Sequence, residues 1–331
     1  MQQRRLGRTG RQVSVIGLGT WQLGADWGEV STEDARAVLD ASVKGGVTFF
    51  DTADVYGDGR SEQIIGQFLS DNPDADVTVA TKMGRRVDQL PENYNLDNFR
   101  SWTDRSRKNL GVDTLDLVQL HCPPTPVYSD DAVYEALDTL VEEGVIAAYG
   151  VSVERVDEAL TAITRPHVAT VQIIANAFRL KPVEEVFAPA GEAGVGVIVR
   201  VPLASGLLSG KYDANTTFAE NDHRSFNRDG SAFDIGETFS GVSFETGLST
   251  AAEFGELVSA QGPEGVTQAQ AALAWLWQHP EVSTVIPGAR NVRQAMSNAA
   301  AGRVAVLADA FNAGVRSIYD THLRSQIHPR W

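Results

Sequence analysis

The sequence predicts an α/β protein: a closed (β/α)8 TIM barrel with an N-terminal β-hairpin and a C-terminal extension, residues 1–331 forming one domain. Three observations carry that expectation. Short apolar runs alternate with amphipathic segments eight times in strict order, as a parallel barrel requires. No internal repeat beyond that alternation, no low-complexity tract and no linker divides the chain. The length suits one large barrel as well as two ordinary domains, so it permits the barrel without choosing it. An open doubly wound sheet is the competing arrangement of the same pattern.

Taken in order, residues 4–15 read as two strand-like pieces around a turn, a hairpin. Barrel strands are expected at 16–19, 47–51, 77–82, 115–121, 147–152, 170–173, 195–200 and 285–286. The first helix has its cap in Ser31-Thr32-Glu33-Asp34 and stops at Gly45-Gly46. Further helical patterns cover roughly 61–70, 97–110, 130–144, 154–163, 181–193, 267–278 and 291–300. Two stretches break the rhythm. Residues from about 211 to 250 are polar and glycine-rich and read as a long loop after the seventh strand. Residues 303–331 follow the eighth helix as a tail rich in arginine and histidine. Both are candidate lids or substrate walls, because inserted loops at a barrel's C-terminal face build active sites.

Composition narrows the function classes. Hydrophobic residues make up 43% of the chain and charged residues 21%, with a mean hydropathy of −0.17, as in a globular enzyme. The net charge is −15 and the pI about 4.8, so nucleic acid and anionic membrane are not expected partners. Any anion site must be a local exception. A single cysteine, Cys122, excludes an internal disulfide and fits a reducing compartment. The first residues lack the apolar stretch of a secretory signal, and no apolar run approaches a membrane span. The expectation is a cytoplasmic protein, monomeric by default.

Several motifs tempt and fail. Gly17-Leu18-Gly19-Thr20-Trp21-Gln22 begins like a dinucleotide fingerprint but lacks its third glycine. The run from Ser205 to Tyr212 resembles a P-loop without its first glycine or its magnesium-binding hydroxyl. Asn215-Thr216-Thr217 matches a glycosylation site with no secretory route. Cys122 beside His121 points to the opposite face of a strand. The six histidines show no metal-ligand spacing.

The polar residues that carry chemistry stand at successive strand ends: Asp51 with Tyr56 just beyond, Lys82, Gln119 and His121, Ser152, Gln172 and Arg200. In a parallel barrel these ends surround one mouth. A lysine there needs a partner, and Asp51 on the neighbouring strand supplies one. Free tyrosine, with a pKa of about 10, is a poor acid at neutral pH. A lysine ammonium about 4 Å away at an effective dielectric near 20 contributes roughly 4 kcal/mol, enough to lower that pKa by up to about three. Tyr56 is therefore the expected general acid, and His121 the group that orients a carbonyl oxygen and stabilises its developing charge. No side chain supplies reducing electrons, so a cofactor must. Singly, each residue also has a bland reading as an ion pair, a rim ring or a satisfied polar group; together they form a set.

At this point the chain resembles the aldo-keto reductase superfamily along essentially its whole length. The resemblance rests on Gly17 to Trp21, Phe50-Asp51-Thr52-Ala53-Asp54-Val55-Tyr56-Gly57, Ala80-Thr81-Lys82, Val118-Gln119-Leu120-His121, Gly150-Val151-Ser152, Val171-Gln172-Ile173, Pro202 to Lys211, and Ile286-Pro287-Gly288-Ala289-Arg290. It implies a barrel that binds NADPH, with NADH possible, and a tetrad of Asp51, Tyr56, Lys82 and His121 that reduces a small-molecule aldehyde or ketone by direct hydride transfer. It also implies cofactor contacts. Thr20 and Trp21 flank the site, and Ser152 and Gln172 match the carboxamide holders. Pro202, Leu203, Ser205, Gly206, Leu208, Gly210 and Lys211 match the pyrophosphate loop. Gly288, Ala289, Arg290, Gln294 and Asn298 match the adenosine end, with Arg290 facing a 2′-phosphate.

Three positions depart from the family pattern: Val153 replaces an asparagine, so one carboxamide contact is either lost or supplied by Asn176; Arg200 replaces an aromatic residue against the nicotinamide; Ser297 replaces a glutamate. Two other functions are compatible with the resemblance: an alcohol or sugar dehydrogenase running oxidatively, and a cofactor-sensing protein like the potassium-channel β subunits. Those sensors tend to lose the tetrad histidine, which is present here as His121. Trp21, Trp27, Val55, Met83, Phe178 and Trp331 are the apolar candidates for a substrate pocket.

Overall fold

The computed structural model describes residues 1–24 and 30–331, and Trp27 lies outside them. The expected hairpin is present: β1 (Gln3–Arg5) and β2 (Gln12–Ser14) pair antiparallel. Eight further strands pair parallel in sequence order: β3 (Leu18–Gly19), β4 (Phe49–Asp51), β5 (Thr78–Met83), β6 (Leu117–His121), β7 (Tyr149–Ser152), β8 (Val168–Ile174), β9 (Gly196–Arg200) and β10 (Val282–Val285). Parallel bridges from Ile16 to Val285 and from Gly19 to Gly288 join the last strand to the first. The sheet is a closed barrel, and the open-sheet competitor is overturned.

Strand periodicity sorts the interior into layers. Phe49, Ala80, Leu117 and Ile198 form an apolar layer with Leu6 and Val13 of the hairpin, which plugs the barrel's base. Each fully buried aliphatic or aromatic side chain there contributes about 1.5–3 kcal/mol. Gly7, at φ +48°, lets the hairpin reach the plug, because a Cβ would lie 2.1 Å from the Ala169 carbonyl oxygen. Two residues further along the strands, the register brings Asp51, Lys82, Gln119, Gln172 and Arg200 to the same interior face near the C-terminal ends. The base is apolar and the mouth is polar.

Helices cover the outside, and their starts follow the side-chain caps that the sequence offers. Ser31 Oγ accepts from the Asp34 N–H at the head of Thr32–Lys44, which ends at Gly45 as expected. Asn95, Asp130, Thr267 and Asn291 cap Leu96–Leu110, Asp131–Glu142, Gln268–Trp277 and Val292–Ala301 in the same way.

The two irregular stretches differ from expectation. The loop after β9 ends at Ser243, which caps an additional helix, Phe244–Gln261. Its glycines and small residues blur the apolar stripe that marks a helix in sequence. The tail forms a helix, Asp309–His322, that packs on this one, with the Phe254 and Phe311 ring centroids 6.0 Å apart. It lies outside the barrel and is no lid. Only its last residues approach the mouth: Trp331 covers the Arg179 guanidinium at 3.9 Å and donates to Asp234 at 3.2 Å.

Candidate active site

At the mouth, β4, β5 and β6 stand side by side, and their ends bring the tetrad together. Lys82 Nζ donates to Asp51 Oδ1 at 2.5 Å, to the Thr52 carbonyl at 2.9 Å and to the Tyr56 hydroxyl at 3.2 Å. The lysine and aspartate side chains are 1% and 3% exposed. Gln119 and Gln172 both donate to Asp51 Oδ2, at 3.1 and 2.7 Å. A buried carboxylate is costly unless its lone pairs are met. Here one oxygen takes an ammonium and the other takes two amides. The His121 ring stands edge-on to Tyr56, centroids 6.0 Å apart, and Trp21 stacks on Tyr56 at 5.8 Å and 14°.

Electrostatics fix the protonation states. Burial would discharge Lys82, but the Asp51 carboxylate and the Tyr56 oxygen beside it more than offset that and raise its pKa, so it stays an ammonium. Burial, helped by Arg85, Lys82 and Arg200, holds His121 well below the usual imidazole value, so it is neutral. For Tyr56 the direction corrects the sequence expectation. Lys82 does draw the phenol down, yet burial outweighs it, and Asp51 and Glu237 push the same way as burial. The sequence argument counted the charge and omitted desolvation. In the protein alone Tyr56 holds its proton firmly.

These groups face a cavity of about 670 Å3, within the range of small-molecule and cofactor sites. Most residues expected to touch a cofactor line it: Thr20, Trp21, Gln172, Arg200, Pro202, Leu203, Ser205, Gly206, Lys211, Gly288, Arg290, Gln294 and Asn298. Ser152, Leu208, Gly210 and Ala289 do not. Leu208 and Ala289 are buried, and Gly210 sits against the Gln268 side chain. Ser152 is buried with its hydroxyl 3.4 Å from Cys122 Sγ. Asn176 is spent on the Val201 carbonyl and Ser240. Asn176 therefore has its amide donors committed, whereas the Ser152 hydroxyl, which accepts from the thiol, keeps its own proton to give. Arg200 is braced by Glu237 and by the Val153 carbonyl at 3.1 Å. Of the apolar candidates, Trp21 and Val55 line the cavity, whereas Met83, Phe178 and Trp331 are packed away from it.

The 203–209 turn departs from ordinary backbone geometry. Ala204, Ser205 and Gly206 have φ of 48°, 56° and 99° in succession, where side chains are disfavoured. Glycine is needed at 206 because Tyr212 lies across it; a Cβ would sit 2.2 Å from the Tyr212 oxygen. Ser205 Oγ ties the turn to the Glu237 carbonyl at 2.7 Å. At the far rim, Arg290 pairs with Asp222 at 3.6 Å. Burial would lift the Asp222 carboxyl, but Arg224, His223 and a backbone N–H hold it well below the usual carboxylate range.

Sequence reasoning missed the cavity residues Arg85, His223, Arg224, Phe233, Glu237 and Arg293. Arg85 and Arg293 were legible as cations just after a strand and at a helix start. The other four arrive from the 211–243 loop through tertiary folding that no local pattern encodes.

The cavity fits the dinucleotide that the sequence implies. Gln22 Oε1 and His121 Nδ1 are buried in its walls with no protein partner. Lys211, Arg290 and Arg293 concentrate positive charge along one rim of an otherwise acidic protein. Among the described residues no cluster could hold a metal ion, and no helix is long and apolar enough to cross a membrane.

Comparison with known proteins agrees with this geometry. The chain superposes on the glycerol dehydrogenase AKR11B4 from Gluconobacter oxydans with a TM-score of 0.81, at 27% identity over 99% of this chain and 98% of that one. It is 29% identical to the uncharacterized oxidoreductase YqkF of Bacillus subtilis across 90% of each chain. It is 31% identical to a probable voltage-gated potassium channel subunit beta of Oryza sativa, again across 90% of each. The sequence profile of the Aldo/keto reductase family matches residues 15–320, from the last residues of the hairpin into the C-terminal helix. With its closed barrel and polar mouth, the chain belongs to the aldo/keto reductase family, an oxidoreductase family.

Proposed function

We propose that this chain, working as one barrel domain, reduces an aldehyde or ketone to an alcohol with NADPH. One observation carries the reading: a buried ammonium, Lys82, is held at once by Asp51 and against the Tyr56 hydroxyl, on the wall of a cavity shared with neutral His121.

When bound, the dihydronicotinamide supplies a hydride to the carbonyl carbon. Every other part belongs to the protein. Tyr56 gives its proton to the carbonyl oxygen as the C=O electron pair moves there, and the alcohol results. Because burial keeps the phenol protonated, the proton is present until charge develops on the substrate. Lys82 then lowers the cost of the phenolate left behind, and Asp51 keeps Lys82 charged and in place. With Nδ1 of His121 buried, Nε2 is the nitrogen left to donate to the substrate oxygen. Trp21 and Val55 wall the site beside Tyr56.

The loop from Pro202 to Lys211 would take the pyrophosphate, where its backbone N–H groups and Lys211 meet negative charge. Gln294, Asn298 and Arg293 would hold the adenosine end, with Arg290 on the 2′-phosphate. Since Asn176 is engaged elsewhere, the carboxamide contacts fall to Ser152, whose hydroxyl keeps its proton to donate, and to Gln172, whose Nε2 is on Asp51 and whose oxygen is left to accept.

The same groups run in reverse when alcohol and NADP+ are in excess. The Gluconobacter neighbour, a glycerol dehydrogenase, favours testing that direction too. Fluorescence titration with NADPH and NADH, followed by a panel of aldehydes, ketones and alcohols, tests the reading. Tight NADPH binding with turnover of a carbonyl compound is expected. Binding without turnover in either direction would instead favour a cofactor sensor.

A further inference from the structure

We propose that Arg85 reads an anionic group, a carboxylate or a phosphate, on the carbonyl substrate; this rests on the reductase reading above. Arg85 follows β5 directly and lines the cavity together with Tyr56 and His121. Two of its three nitrogens are anchored. Nε donates to the His121 carbonyl at 3.0 Å, and Nη2 meets Glu154 at 3.1 Å. The guanidinium plane is thereby fixed beside the strand end that carries His121. Nη1 has no partner among the described residues and is not sealed from the cavity, and the side chain keeps 26% of its surface exposed. A pinned guanidinium with one open corner is a preorganised receptor for a carboxylate or phosphate oxygen.

The other cations at the mouth do not compete for that role. Arg200 is 10% exposed and committed to Glu237, the Val153 carbonyl and Cys122, and Arg224 is committed to Asp222 and the Tyr212 hydroxyl. Lys211, Arg290 and Arg293 stand after β9 and β10, on the side assigned to the cofactor phosphates. Arg85 stands after β5, next to the groups assigned to the reacting carbonyl. Its Glu154 partner is outside the cavity lining, and the cavity's own Glu237 is neutralised by Arg200, so an arriving anion meets no bare carboxylate there. Burial, with the positive charge on this wall adding to it, keeps His121 neutral. An acidic substrate therefore finds a cation and an uncharged hydrogen-bond donor side by side.

Matched substrates test this. Succinic semialdehyde is compared with its methyl ester, and glyceraldehyde 3-phosphate with glyceraldehyde, each with saturating NADPH. The wild-type protein should show a higher kcat/KM for the charged member of at least one pair, and the pair that responds distinguishes carboxylate from phosphate. In Arg85→Gln the charged-to-neutral ratio should fall roughly ten- to a hundredfold, mainly through KM, as expected for loss of a hydrogen bond to a charged group. Arg85→Lys should restore part of it. Equal kcat/KM within both pairs would overturn the proposal, as would Arg85→Gln lowering charged and neutral substrates by one factor, the result of an arginine that only braces His121. Binding of succinate and inorganic phosphate to the NADPH-loaded protein, followed by tryptophan fluorescence, gives a readout without turnover. If none of the four carbonyl compounds reacts but either anion binds and Arg85→Gln weakens it, the reductase reading fails and the anion site stands. If both variants bind both anions alike, the site fails.

Discussion

The two sides of the barrel mouth are built on different principles. After β4, β5 and β6, Asp51 and Lys82 are buried, in direct contact with one another and, through Lys82, with Tyr56. After β9 and β10, Lys211 and Arg293 are exposed, and Arg290 reaches its acidic neighbour at 3.6 Å with 39% of its side chain open. The reacting side is locked before anything binds, while the cofactor side offers charge and waits for a ligand. On the proposed reading, preorganisation is concentrated where charge would develop during the reaction, and the side that would take the dinucleotide keeps its cations exposed.

That contrast can be broken by mutation, and the largest effect belongs to the locked side. Tyr56→Phe should lower kcat by about 10²–10⁴, the usual contribution of a positioned general acid, with NADPH affinity nearly unchanged. Preserved turnover would remove Tyr56 from the role. Lys82→Met should cost about 3–5 kcal/mol in chemical denaturation, because it leaves Asp51 charged, buried and without its ammonium. A loss below 1 kcal/mol would mean that the pair is not locked.

Between Asp51 and Tyr56, Asp54 is buried with both carboxylate oxygens unpartnered. Burial and Glu62 lift its pKa from 3.8 to about 7, against the pull of Arg86 and Arg105. The folded state then keeps a proton that the unfolded chain releases, so stability falls as pH rises from about 4 through about 7. Asp54→Asn cannot release that proton. Its stability relative to the parent should improve by about 2–3 kcal/mol between pH 5 and pH 8, read from denaturation at each pH. Parallel pH profiles for the two proteins would contradict this. The smallest effect is expected on the open side: Arg290→Ala should weaken NADPH about ten- to a hundredfold and NADH much less. Equal losses would show that Arg290 does not read the 2′-phosphate, and would shift attention to Arg293.

How much of this was legible in the sequence follows the same division. The locked side was readable because its residues sit at the ends of short apolar runs, and period-two alternation places Asp51, Lys82, Gln119 and His121 on one face. The direction of the Tyr56 shift was not, because desolvation depends on walls such as Trp21, and the opposing charge of Glu237 comes from a distant loop. Asn176 shows the limit of position matching: it stands just past a strand end, yet packing turns its side chain to the Val201 carbonyl and Ser240. Helix 244–261 escaped because its buried face includes Gly247, Thr250 and Ala251, which carry little apolar signal. The contributions of His223, Arg224 and Phe233 exist only once the 211–243 loop folds over the mouth.

A crystal structure of the protein with NADP+ tests the central claim most directly. The account predicts the nicotinamide ring in this cavity beside Tyr56 and His121, with the contact between the Tyr56 hydroxyl and Lys82 intact. A nicotinamide lodged elsewhere, or Tyr56 and Lys82 turned apart, would contradict it.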